Sequence, residues 1–284
     1  MEYRQFPRTT VGGKSLPRML IGTNWILGYS HRTPSADDRI NATNRNKESI
    51  ADIIGQFLPH GIDAIMAPAS QNQVLIDGIR LAEDRHGQPV TIIDTPIVNM
   101  DDTAQGRREA EMTIEQSRDA GSTFCLLHHS SAEQLVNKNK RTMDRLPDYL
   151  AMIRDQGMLP GLSAHMPELM VYSDEQGYDI ETYVQIYNCM GFMMQVEIEY
   201  VHSVIWKAQK PVMTIKPMAA GRTTPFVGLS FAYATIRDQD MVTVGCLTPD
   251  EAIEDIEIGF AALDRRPPDI AGRASPNKTA ALGG

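Results

Sequence analysis

The residues of this chain best suited to chemistry stand at the ends of short apolar runs. Asp94 closes Val90–Asp94, His128 closes Phe124–His128, His165 follows Leu159–Ser163 and Lys216 closes Val212–Lys216. Brought together, Asp94, His128 and His165 offer one carboxylate and two imidazoles, a set that can hold a divalent transition metal or serve as an acid/base group. No HxH or HExxH spacing supports the metal, so that reading rests on strand register alone. Lys216, if it points into a dry pocket, loses solvation and becomes a base, an electrophile or an imine former; the plainer outcome is an ion pair with Asp94 or Glu168. Candidate substrate contacts are Asn24 and Trp25 after the first run, Gln185 and Asn188 at the sixth, and His31, Arg32 and Arg222 on the loops, the two arginines being able to clamp an anionic group. Ser70 also follows a run end. His128 and His129 are adjacent, and neighbours on a strand point opposite ways, so at most one of them is expected to face inward.

Positioning these residues requires a framework that gathers strand ends. The sequence alternates short apolar runs with amphipathic stretches, the pattern of βα units. Eight runs can be counted: Arg18–Thr23, Ala64–Ala67, Val90–Asp94, Phe124–His128, Leu159–Ser163, Tyr183–Tyr187, Val212–Lys216 and Met241–Val244. Helical spacing is expected over Glu48–Leu58, Asn72–Asp84, Gly106–Ala120, Leu146–Asp155, Met193–Gln209 and Pro249–Leu263. Thr248-Pro249-Asp250-Glu251 supplies a capping hydroxyl, a first-turn proline and a glutamate placed to close a capping box. His60 and His86 each precede a glycine and read as helix-end residues rather than ligands.

These features predict an α/β chain folded as a single (β/α)8 TIM barrel over residues 1–264, with a tail at 265–284 that is extended or disordered. In such a barrel the strand ends converge on one mouth. The polar stretch Trp25–Lys47 leaves the first strand end and is expected to overhang that mouth as a loop.

A length of 284 residues suits one barrel, and a formal charge of −9 leaves no basic field for phosphate backbones or anionic lipid. Nucleic-acid and membrane partners are therefore not expected, a small molecule is, and a homo-oligomer stays open. Cys125, Cys189 and Cys246 are odd in number and lack CxxC spacing, which fits buried thiols in a reducing, cytoplasmic setting.

Several blocks along nearly the whole chain resemble the aldo/keto reductase superfamily, (β/α)8 barrels that reduce carbonyls with NADPH. The opening MEYRQFPRTTVGGKSLPRMLIGT is similar to its N-terminal hairpin and first strand, the hairpin plugging the barrel floor. Gly61-Ile62-Asp63 resembles the approach to its second strand, Leu126-Leu127-His128 its fourth-strand histidine motif and Gly161-Leu162-Ser163 its fifth-strand segment. Gln185 matches its sixth-strand glutamine, Lys216–Arg222 its seventh-strand motif, and VTVGCLTPDEAIEDI its eighth strand and following helix. The family works with an Asp, a Tyr, a Lys and a His. Here the Asp position is Met66, no tyrosine follows it, and Ile93-Asp94-Thr95 has no lysine, so only His128 carries over.

Without the tyrosine, and without the basic residues that pair the 2′-phosphate, NADPH is not expected. The reading favoured on this basis is an enzyme for non-redox acid/base chemistry, a lyase, isomerase or hydrolase acting on a small polar carbonyl- or sugar-like substrate, with or without a divalent metal. Two alternatives stay open: an NADPH-dependent oxidoreductase of the aldo/keto reductase type with rearranged catalytic residues, in which Tyr29 or another residue of the long loop supplies the acid, and a non-catalytic binding barrel.

Overall fold

The computed structural model describes residues 3–44 and 46–270. The chain begins with a hairpin, β1 (Arg8–Val11) and β2 (Lys14–Pro17), paired antiparallel. Its two-residue turn, Gly12-Gly13, has φ of 55° and 76°, the left-handed geometry that matches the twist of the flanking strands and that glycine adopts without strain. Val11 and Leu16 of the hairpin pack with Leu20, Phe124 and Met213 inside the barrel, which closes the floor.

The barrel itself is built from β3 (Met19–Gly22), β4 (Ala64–Ala67), β5 (Thr91–Asp94) and β6 (Phe124–Leu127). A small hairpin, β7 (Val136–Asn137) with β8 (Thr142–Met143), interrupts the alternation before β9 (Leu159–Ala164), β10 (Thr182–Ile186), β11 (Val212–Ile215) and β12 (Met241–Val244). All eight barrel strands are parallel and the sheet closes on itself by pairing β12 with β3. The helices are α1 (Pro34–Thr43), α2 (Lys47–Phe57), α3 (Gln73–His86), α4 (Ala104–Asp119) and α5 (His129–Ala132), followed by α6 (Leu146–Asp155), α7 (Glu168–Gln176), α8 (Ile198–Lys207), α9 (Pro225–Thr235) and α10 (Pro249–Asp264). The eight expected strands are all present, so the fold class is the (β/α)8 barrel with an N-terminal hairpin.

Strand side chains alternate between two cores. Leu20, Ala64, Ile93, Leu126 and Val184 point into the barrel; Ile21, Ile65, Ile92, Leu127 and Tyr183 point outward under the helices. Each buried Leu or Ile contributes roughly 1.5–3 kcal/mol, so this alternation fixes register: a slip of one residue exchanges the cores.

Differences from the sequence expectations are local. The stretch Trp25–Lys47 contains α1, capped by Thr33, whose side chain accepts a bond from the Ala36 N–H. The run from Met193 does not become helical until Ile198; Met193 has φ of 59° and Tyr200 is exposed. The capping box at α10 is shifted: Thr248 caps the Glu251 N–H, but the Glu251 carboxylate accepts from Leu247 N–H at 2.6 Å, one residue earlier than a standard box. Of the expected tail, residues 265–270 lie along α10, with Arg266 paired to Glu257 at 2.6 Å, and residues 271–284 lie outside the described residues. Among the described residues no helix is long and apolar enough to cross a membrane.

Candidate active site

The strand ends surround a cavity of about 740 Å³. Met66, Val184 and Ile215, facing inward from β4, β10 and β11, give it an apolar base, and Ser163 and Thr243 add hydroxyls from β9 and β12. Thr243 is 7% exposed and its Oγ1 has no hydrogen-bond partner. From this base the cavity runs past Lys216 and Gly245 to Glu251, Glu254 and Asp255 at the start of α10. Trp25 forms a flat wall: Cβ atoms placed on Gly221 and Gly245 would stand 3.5 and 3.7 Å from its indole.

Lys216 is the central charged group. It follows β11 with φ of 61°, a left-handed conformation that costs a residue with a side chain about 1–3 kcal/mol. Its Nζ donates to His31 Nε2 at 3.0 Å, and Asn24 Nδ2 donates to the same nitrogen at 3.1 Å. Two donors on Nε2 make it an acceptor, so His31 is neutral with its proton on Nδ1. Burial lowers the Lys216 pKa to about 8. Burial, and then the nearby lysine, lowers that of His31. The following turn is held in shape by Arg222, which stacks on Phe192 at 3.8 Å and bonds the carbonyls of Ala219 and His31.

The same cavity is lined by a row of imidazoles. The ring centroids of His128 and His129 are 4.2 Å apart, and His129 stacks on His165 at 3.7 Å with 15° between planes. His128 Nδ1 lies 2.7 Å from Ser130 Oγ and accepts from the Ser130 N–H at 3.3 Å, leaving its proton on Nε2. Burial first, then neighbouring positive charge, lowers His128 to about 4 and His165 to about 3. Glu133 fixes the loop after β9 by accepting from the His165 and Met166 N–H groups at 2.8 and 3.1 Å.

Asn24, Trp25, His128, His165 and Lys216 therefore meet at one cavity, as their strand-end positions suggested, and His31 joins them from the loop. Other expected members do not join them. Asp94 points outward, because Ile93 takes the inward position on β5; its carboxylate accepts from the Ala69 N–H at 2.7 Å and Ser117 Oγ at 2.6 Å, and burial raises its pKa. The proposed metal set of Asp94, His128 and His165 is not assembled, and among the described residues no group of three or more His, Cys, Asp or Glu is placed to hold a metal ion. Lys216 consequently has no ion pair with Asp94, and Glu168 pairs with Lys138 instead.

Gln185 lies outward on β10, bonding the carbonyls of His165 and Ile186. Asn188 ties its own loop by accepting from the Met190 and Phe192 N–H groups. Arg32 and Arg222 lie behind the lining, Arg222 committed to the turn just described. Both His128 and His129 line the cavity, contrary to the alternation argument, because β6 ends at Leu127 and the chain turns there into α5. His129, Glu133 and Thr243 were missed; only the strand-to-helix change after Leu127 could have pointed to His129.

The fold, a (β/α)8 barrel with an N-terminal hairpin, is shared with solved structures named as aldo/keto reductases. A Pseudomonas aeruginosa protein named as an aldo-keto reductase superposes with a TM-score of 0.66 at 15% identity, covering 93% of this chain and 98% of its own. A Brucella melitensis aldo/keto reductase gives 0.57 at 13% identity over 93% and 99%, and a glycerol dehydrogenase from Gluconobacter oxydans gives 0.58 at 12% over 94% and 98%. A Rubisco from Pyrococcus horikoshii reaches 0.51 at 10% identity, covering 78% of this chain and 57% of its own. No family sequence model matches the chain, and no curated protein matches it by sequence.

The expectation of a non-redox lyase, isomerase or hydrolase is corrected on two counts. The barrels matching over nearly the full length are named as reductases and a dehydrogenase, and the carboxylate of the expected acid/base set, Asp94, is outside the cavity.

Proposed function

We propose that this chain is an oxidoreductase of the aldo/keto reductase kind in which Lys216, with His31 behind it, takes the place of the missing tyrosine as proton donor. The observation that carries this reading is the Lys216–His31 pair at the centre of a cavity that continues along the ends of β11 and β12 to α10. At about 740 Å³ it lies in the upper part of the roughly 300–1,000 Å³ typical of small-molecule sites.

A nicotinamide dinucleotide, when bound, supplies the hydride. The unpartnered Thr243 hydroxyl and the flat Trp25 wall over Gly221 and Gly245 suit its polar and planar parts. Glu251, at the α10 end of the cavity, suits a ribose diol, since a carboxylate accepts from hydroxyls and repels a 2′-phosphate. The cofactor of this reading is accordingly NADH rather than NADPH.

The chain's own part is proton delivery and orientation. An ammonium with a pKa near 8 is mostly protonated at neutral pH and still acid enough to give its proton to a developing alkoxide. His31 Nε2 accepts one Nζ–H and fixes the direction of the others. His128 and His165 remain uncharged at pH 7, which leaves Lys216 as the ionised donor.

Calorimetric titration tests the reading: NADH binds in the micromolar range and NADPH more weakly, while failure of both to bind overturns it. Lys216→Gln then lowers kcat for carbonyl reduction by about 10²–10⁴-fold with the Kd for NADH unchanged, and rates fall above pH 8 as Lys216 loses its proton.

A further inference from the structure

The lining of the cavity is divided by charge. Among the described residues its carboxylates all lie at the α10 end, as Glu251, Glu254 and Asp255, while the strand-end side carries Lys216, His31, His128, His129 and His165. Burial is the cause of the drop in the Lys216 pKa, and among the described residues no carboxylate offsets it. Lys216 acts on all four rings and the neighbouring imidazoles on His31, His128 and His165; from outside this group Asp37 and Arg222 act on His31, and Glu133 on His129. One oxygen of Glu133 is already committed to the His165 and Met166 N–H groups.

An ammonium has three N–H bonds, and His31 takes one of those on Lys216. Two remain for a ligand. Two acceptors on adjacent carbons match that count, and a negative charge on one of them would compensate the buried ammonium. The orphan Thr243 Oγ1 is a further donor lining the same space.

We propose that the cavity takes a carbonyl compound bearing a carboxylate on the adjacent carbon, a 2-oxo acid, with Lys216 bridging the carboxylate and keto oxygens beside the imidazole row. The proposal rests on the oxidoreductase reading for the fate of the ligand and not for its binding. An anion in this position also makes protonation of Lys216 and of the rings around it more favourable, so binding takes up protons.

The test is calorimetry on the full chain without nicotinamide, using pyruvate and benzoylformate, each beside its own methyl ester as the uncharged match. At pH 7 each acid is expected to bind at least about tenfold tighter than its ester, the gain of one charge-assisted contact. At pH 8 the dependence of the heat on buffer ionisation shows net proton uptake, and affinity declines at higher pH. Lys216→Gln abolishes the preference and Lys216→Arg, which keeps the charge, retains it. Esters that bind as well as the acids, or a preference that survives in Lys216→Gln, overturn the proposal. NADH binding without acid preference refutes this inference alone; acid preference without NADH binding refutes the oxidoreductase reading alone.

Discussion

At the strand starts, Arg18, Arg237 and Asp240 bury their charges against one another and against backbone. Asp240 is fully buried, accepts from the Val212 and Arg237 N–H groups and pairs with the Arg237 guanidinium at 2.7 Å, while Arg18 donates to the carbonyls of Asp240 and Arg237. At the strand ends, His31 and Lys216 hold left-handed backbone, and among the described residues Lys216 stands without a carboxylate and the Thr243 hydroxyl has no partner. The same eight strands thus run from a floor whose buried charges are paired to a mouth whose lysine has no carboxylate beside it among the described residues. Cohesion comes from the first, and the second keeps polar groups uncommitted for a ligand.

Mutation at the floor should break this contrast most visibly. Asp240→Ala leaves Arg237 and the Val212 N–H without their partner and is expected to cost about 3–5 kcal/mol, read by urea unfolding, with NADH affinity unchanged in the folded fraction. Asp94→Ala, at the end of β5 on the outer face of the barrel, should cost about 1–3 kcal/mol by stranding the Ala69 N–H and Ser117. Asp94→Asn, which retains an acceptor, should be nearly neutral.

The mouth histidines sharpen the comparison through pH. Their folded pKa values lie below the free value of 6.5, so the folded state binds fewer protons and stability falls as pH drops from 6.5 through about 4 for His128 and about 3 for His165. His165→Gln should flatten that acid limb of thermal stability, whereas an unchanged limb would show that the ring is not held uncharged. The smallest effect is expected for Thr243→Val: no loss of stability, or a gain of up to about 1 kcal/mol from removing an unsatisfied hydroxyl, together with weaker ligand binding by titration.

The framework was more legible than the site. Strands whose inner and outer faces are both apolar read as short continuous runs, and all eight could be seen. α9 could not, because Pro225–Thr235 carries no charged residue and therefore no polar face; α1 was hidden for the opposite reason, with only Ile40 buried. For Asp94 and Gln185 a one-residue choice of register decided whether a side chain entered the cavity, and composition does not make that choice. His129 escaped because a period-two rule was carried past the end of a strand. Residues that lie at the strand ends proper, such as His128 and Lys216, were found because a parallel barrel gathers them whatever their spacing in sequence.

The position of Trp25 has an optical consequence. The chain has two tryptophans, and the second, Trp206, lies on the outside of α8 with its Nε1 donating to the Thr235 carbonyl at 2.7 Å. Trp25 lines the cavity and the other indole is remote from it, so a ligand entering changes the emission of one fluorophore and leaves the other as an internal reference. In Trp206→Phe the whole signal comes from Trp25, and the protein reports its own occupancy without a label.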